Sequence, residues 1–219
     1  MATSADFVLT KRAFQNTDMH ALGSISFSNT NHVIGLRDHG ISTPADLANK
    51  RLGLTKGTSG EYLAGHFLML NGLDVNNIGI VSIPPSELKE SIVSGKVDAV
   101  STWGKFAYTI RKQLGEKAVV FPHDNSEGYY FLLLAKDQWI NDNEERLQRL
   151  MRALSMAAEL TESSPEVARQ IINTKFQHEE EYSKYVWKQH KIDLELPQSM
   201  FFSMEEKALW LIENKLVSL

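Results

Sequence analysis

"LTKGTSGEYLAGHFLMLNG", residues 54–72, runs an apolar strand end into a Gly-Thr-Ser turn and then into an amphipathic helix. Leu63, Phe67 and Leu70 recur at helical spacing, so one face of the segment should pack on a neighbouring sheet. Gly72 stands where a C-terminal cap is needed. Small polar residues at such a handover make a tight turn with a helix cap, or they seat a negatively charged or strongly polar ligand. Thr58 with Glu61 matches a capping box. That leaves the first-turn N–H groups of Ser59 and Gly60, which together with the helix dipole favour an anion or a carbonyl oxygen. Gly57 and Gly60 would let it approach the backbone, and ligands gather at the carboxyl ends of strands in α/β sheets. The residues alone leave cap and seat both open. The stretch does not match a P-loop, G-x-x-x-x-G-K-[ST].

Outward from this unit, short apolar runs alternate with helical patterns. Strands are expected at Asp6–Leu9, Leu22–Phe27, His32–Leu36, Arg51–Thr55, Ile78–Ile83, Asp98–Thr102, Ala118–Phe121 and Tyr129–Ala135. Helices are expected at Ser59–Asn71, Glu87–Ser94, Lys105–Leu114, Asp142–Glu162, Pro165–Asn173, Glu179–His190 and Met204–Lys215. Ser164–Pro165 and Thr43–Pro44 read as N-cap and first helical residue. In "SGKVDAV", Gly95 can take positive φ after a helix, and Asp98 reads as a cap at the strand start. The first 135 residues argue for α/β architecture, and the remainder is almost entirely helical. The stripe Leu147, Leu150, Leu154, Ala157, Ala158 should pack on the strand Tyr129–Ala135 just before it.

The chain has 219 residues, with 42% hydrophobic and 23% charged, ordinary values for a globular protein with a sizeable core. A net charge of −4 gives no overall electrostatic footprint for nucleic acid or an anionic membrane. No apolar run approaches the ~18–20 residues of a membrane span. Cysteine is absent, which removes disulfides, thiol nucleophiles and thiolate metal ligands. "MATSADFVLTKRAF" has no apolar h-region, so it is not a signal peptide. The seven histidines show no H-E-x-x-H spacing, and no G-x-S-x-G elbow occurs. No metal and no cofactor is expected. Three further candidates remain, each with a bland reading beside it. Trp103 stacks on a ligand ring or fills core. At most one of Tyr129 and Tyr130 faces any given cleft. Ser28, Asn29, Thr30 and Asn31 form a donor-rich turn or a plain hairpin.

"GISTPADLANKRLGLTKGTSGEYLAGHFLMLNGLDVNNIGIVSIPPSELKESIVSGKVDAVSTW", residues 40–103, resembles the solute-binding proteins of ABC importers for nitrate, sulfonates and thiamine precursors. "LQRLMRALSMAAELTESSPEVARQII" and "MEEKALWLIENKL" are similar to the C-terminal helices of that family. The resemblance implies an α/β, two-lobed type II periplasmic-binding fold closing over a ligand at two hinge strands. Residues 1–40 and 128–219 would form lobe one, and 41–127 lobe two. It implies a ligand site at Gly57, Thr58, Ser59 and Gly60, with Asn29, Thr30, Trp103 and Tyr129 as further contacts. Trp103-Gly104-Lys105 departs from the Trp-Glu-Pro of many relatives, so their ligand class does not carry over. "SADFVLTKRAF" aligns well inside a family member, so lobe one is expected to lack its N-terminal strand-helix-strand. Nothing in "MATSADFVL" looks like a replacement, and an upstream segment, a homodimer or a domain swap would then cover the bare surface.

The resemblance implies a periplasmic protein that captures a small polar or anionic solute by hinge closure and hands it to an ABC permease. Two other readings share the fold. One is the ligand-sensing domain of a receptor kinase or cyclase. The other is an enzyme like the thiamine-pyrimidine precursor synthases, against which the missing cysteine-rich motif counts.

Overall fold

A computed structural model of the chain describes residues 1–15, 18–122 and 128–218. His123 and the lobe boundary expected at 127/128 touch residues outside these. The chain forms two units, Met1–Ser28 with Tyr129–Leu219, and Asn29–Gly128.

The first unit is built on a four-stranded antiparallel sheet. Its strands are β1 (Ala2–Ala5), β2 (Met19–Ser28), β8 (Tyr129–Lys136) and β9 (His190–Glu195), in the order β1-β8-β2-β9. β8 is nearly all apolar because it is an inner strand covered on both faces, with Leu132, Leu133, Leu134 and Ala135 all buried. Helices α1 (Asp6–Ala13) and α9 (Gln198–Glu213) put Leu9 and Met200 against Tyr130, Leu132 and Leu134. The remaining helices are α5 (Asp137–Asp142), α6 (Glu144–Ser163), α7 (Pro165–Phe176) and α8 (Glu180–Trp187).

Four expectations for this unit are corrected. Asp6–Leu9 is not a strand but the start of α1, because the buried positions Asp6, Phe7, Leu9 and Thr10 recur at helical spacing. "MATSADFVL" does contain a strand-helix unit, since Ala2–Ala5 pairs with Leu134–Phe131 of β8. The helix expected to reach His190 ends at Trp187, and β9 follows, with His190, Ile192 and Leu194 alternating against Lys191, Asp193 and Glu195. The long helix expected at 142–162 breaks at Asn143, and α6, which carries the stripe, packs chiefly on α7 and β9, not on β8.

The second unit is a five-stranded mixed sheet, ordered β5-β4-β6-β3-β7. Its strands are β3 (Asn31–Leu36), β4 (Arg51–Leu54), β5 (Gly79–Ser82), β6 (Ala99–Trp103) and β7 (Ala118–Pro122). β4 runs parallel to β5 and β6, whereas β3 is antiparallel to β6 and β7. That pairing draws residues 29–40 into this unit, so the boundary expected at residue 40 falls at Ser28/Asn29.

Alternation along β3 sorts the two layers. Val33 joins Leu52, Leu54, Ala64, Phe67 and Leu68 beneath α2 (Ser59–Leu70). Ile34 joins Val100, Leu88, Ile92 and Ile110 on the face covered by α3 (Leu88–Val93) and α4 (Gly104–Leu114). Gly72 and Gly95 take positive φ, as their places after helices require.

Asp98 closes the bottom of this sheet. Its carboxylate accepts from the Arg51 backbone N–H at 2.8 Å, from Arg51 Nε at 3.0 Å and Nη2 at 2.7 Å, and stands 2.7 Å from His39 Nδ1. The Arg51 hydrogen bonds hold its pKa well below the usual carboxylate range. It is a structural staple at the strand start.

Candidate functional site

The turn before α2 is organised by its own side chains. Thr58 Oγ1 accepts from the Gly60 N–H at 3.2 Å and donates to the Thr55 carbonyl at 2.8 Å. The Glu61 carboxylate reaches back past Thr58 to the Gly57 N–H at 2.6 Å. The capping box is therefore shifted by one residue, and the free donors differ from those expected. Gly60 N–H is used, whereas the N–H groups of Thr58 and Ser59 make no hydrogen bond among the described residues. Ser59 Oγ is buried and also lacks a partner.

Gly57 and Gly60 serve different needs. Gly57 has φ +77° and open space around a notional Cβ, so backbone conformation demands glycine there. At Gly60 a Cβ would sit 3.0 Å from Trp103 Cζ3 and 3.3 Å from Cε3. The missing side chain at Gly60 admits the Trp103 indole, which lies on the first turn of α2. Ser101 Oγ adds a hydrogen bond to the Gly60 carbonyl at 3.3 Å.

Thr30 is buried, and its carbonyl accepts from the Gly104 N–H at 3.2 Å and lies 3.0 Å from His32 Nδ1. This ties the start of β3 to the end of β6. Asn29 is half-buried at the head of the same strand. The structure thus gathers Gly57, Thr58, Ser59, Gly60 and Trp103 at one sheet end, with Thr30 bonded to the residue after Trp103. Tyr129 belongs to the other unit, where it opens β8 opposite Ser28 and is half-buried.

In the sequence Asn31 stands only as the last residue of the turn at 28–31, with no role of its own as a contact. Asn31 is 2% exposed, and among the described residues neither Oδ1 nor Nδ2 has a hydrogen-bond partner. It is the Cα partner of Trp103 in the β3–β6 ladder. A signal was present: Asn31 shares a face with Val33, so a polar residue stands in the period that packs on α2. Thr102 Oγ1 is likewise unpaired, but it alternates onto the α3–α4 face. A buried polar group left unpaired costs about 1–3 kcal/mol. Asn31 and Ser59 concentrate that cost where two backbone donors are also unclaimed. The cluster offers donors, an amide, a hydroxyl and an indole, which is equipment for holding a small polar molecule.

Among the described residues no three His, Asp or Glu side chains are placed to hold a metal ion, and no helix is long and apolar enough to cross a membrane.

Residues 1–168 match the family described as NMT1/THI5 like. A protein of Brucella abortus (strain 2308), named as a binding protein, is 24% identical over 152 residues, 67% of this chain and 46% of that relative. This chain therefore spans about half the length of the curated relatives it matches. The alkanesulfonate-binding protein SsuA from Xanthomonas axonopodis pv. citri, bound to MOPS, superposes with a TM-score of 0.80 at 17% identity, over 99% of this chain and 76% of that one. The desulfurization enzyme DSZB gives 0.73 at 14% identity, over 98% and 78%. Likeness at such identities shows the fold alone, and it is the two-lobed α/β fold that residues 40–103 led one to expect.

Proposed function

Because the chain belongs to the NMT1/THI5-like family, we propose that it is the solute-binding component of an ABC importer, taking up a small polar or anionic solute outside the cytoplasm for delivery to a membrane permease. The observation that carries the reading is the unclaimed polar set at the α2 N-terminus: Thr58 N–H, Ser59 N–H, Ser59 Oγ and the Asn31 amide beside the Trp103 indole. A solute oxygen seated there would be held by first-turn donors and the helix dipole. Asn29, Thr30 and Tyr129 flank the chain crossings at Ser28/Asn29 and Gly128/Tyr129. They would feel any hinge motion about those crossings, and closure would follow only from solute contacts that differ between open and closed populations.

Native mass spectrometry of the purified protein tests this. The expected result is a discrete small-molecule adduct that is lost in a Gly60→Leu variant retaining native far-ultraviolet dichroism. An adduct unaffected by that change would place the solute elsewhere.

A second reading, an enzyme on the same fold, has the likeness to DSZB in its favour. The two are told apart by the fate of the bound molecule, which a binding protein returns unchanged and an enzyme converts.

A further inference from the structure

We propose that Asn31 makes this site selective for a solute carrying a hydrogen-bond donor and an acceptor on neighbouring atoms, as a primary amide, urea or lactam does, over an acceptor-only oxyanion such as a sulfonate or nitrate. The inference rests on the ligand-site reading given above and adds to it the class of solute.

Position comes first. Asn31 and Trp103 stand directly opposite each other in an antiparallel pair, so their side chains leave the sheet on the same face. Trp103 lies against Gly60, and Val33, two residues beyond Asn31, packs beneath α2. The Asn31 amide is therefore on the α2 face, at the strand end nearest the first turn of the helix. It is buried, with both polar atoms unpaired among the described residues. Exchanging the oxygen and nitrogen of the amide changes nothing in this argument, because either assignment leaves one donor and one acceptor to be satisfied.

Chemistry then sets the solute. Nδ2–H needs an acceptor, and Oδ1 needs a donor. A sulfonate satisfies the first and sets its own lone pairs against the second, leaving Oδ1 buried and unmatched. An amide edge satisfies both at once. The other unclaimed groups, Thr58 N–H and Ser59 N–H, are donors only, and the Ser59 hydroxyl can act either way. They suit a carbonyl or carboxylate elsewhere on the same solute. The complementary molecule presents an oxygen to α2 and an N–H beside a C=O to Asn31. Sites built to hydrogen-bond a substrate N–H discriminate strongly against analogues that lack it.

The test uses the full chain with two matched pairs of probes: benzamide against benzenesulfonate, and acetamide against methanesulfonate. Affinities are read by ligand-observed NMR. The Asn31 side-chain amide resonance, identified by its loss in Asn31→Asp, is followed in parallel. The expected result is an amide preference on the order of tenfold to a hundredfold, with the Asn31 resonance shifting on amide addition. Asn31→Leu should erase the preference by weakening the amide alone. Asn31→Asp, which turns the edge into acceptors only, should instead favour benzamidine, so a poorly folded Leu variant does not end the test. Sulfonate binding that exceeds amide binding and is abolished by Gly60→Leu would overturn the role of Asn31 while keeping the site. Probes that bind without moving the Asn31 resonance and without sensitivity to Gly60→Leu, or that do not bind at all, would overturn both.

Discussion

Lys207 Nζ stands 2.7 Å from Asp6 Oδ2 across 201 positions of sequence, with side chains 1% and 0% exposed. The carboxylate also accepts from the Tyr130 N–H at 3.1 Å and the Phe7 N–H at 2.6 Å, and the ammonium donates to Ser203 Oγ at 2.6 Å. The pair bolts α1 and α9 to the inner strand β8. Removing one partner of a buried pair strands the other charge, so Lys207→Met should destabilise the first unit by about 3–5 kcal/mol. Adding Asp6→Asn should recover much of that loss, because the buried charge goes while an acceptor for Tyr130 N–H stays. Urea unfolding of the two variants checks this, and additive losses would contradict it.

Asp98 supplies an acid-sensitive limb. Its folded pKa is lowered from 3.8, first by the Arg51 hydrogen bonds, so the native state binds fewer protons than the unfolded state below that value. The stabilisation is fully present above pH 3.8 and is lost as the pH falls from there through the lower folded value. Asp98→Asn should cost about 1–3 kcal/mol at neutral pH. It should also flatten the acid side of the stability profile of the second unit. A variant whose profile keeps the full acid slope would place that slope elsewhere.

Local signals carried the second unit well. The strand–turn–helix at 51–70, the positive-φ glycines after helices and the alternation of β3 are all written in neighbouring residues. The failures share a physical cause, which is dependence on distant partners. "DFVL", residues 6–9, reads as strand because Phe and Val favour it, until Lys207 and Tyr130 claim Asp6 and the helix wins. β9 is six residues long, and its period of two follows directly on a helical run. At the site, the Gly-Thr-Ser turn was legible as a donor-bearing helix start. Which donors stay free was not, since that depends on Glu61 reaching Gly57 instead of Thr58. Asn31 is marked in the sequence by its polarity in the buried period of β3, but its place beside the site comes from Trp103 across the ladder.

His190 should give the first unit a second, milder pH response. Nδ1 stands 3.1 Å from the Val186 carbonyl, which can only accept, so that nitrogen carries the proton. Nε2 then accepts from the Ser28 hydroxyl at 3.1 Å. Burial lowers the pKa from 6.5, so the neutral ring is the native form. Stability from this group is complete above pH 6.5 and declines as the pH falls through the lower folded value. Chemical unfolding monitored at pH ~7.5 and ~5 should show a loss that His190→Gln removes. Equal losses in both proteins would remove His190 as the cause.

Gly60 separates a structural from a ligand-binding role most directly. Any Cβ at this position meets the Trp103 ring at 3.0 Å, so Gly60→Leu must displace the indole, relax α2, or both. Overpacking of this kind costs about 1–3 kcal/mol, and half-buried Trp103 has room to move by rotating away. The variant should therefore stay folded and lose only a few degrees of Tm, while Trp103 emission shifts to the red. Trp103→Phe run in parallel identifies that share of the fluorescence. Solute binding should fall by at least about tenfold, because the ring leaves the first turn and the new side chain enters beside Ser59. A variant that keeps full affinity with a displaced indole would show that Trp103 packs the sheet end and touches no solute.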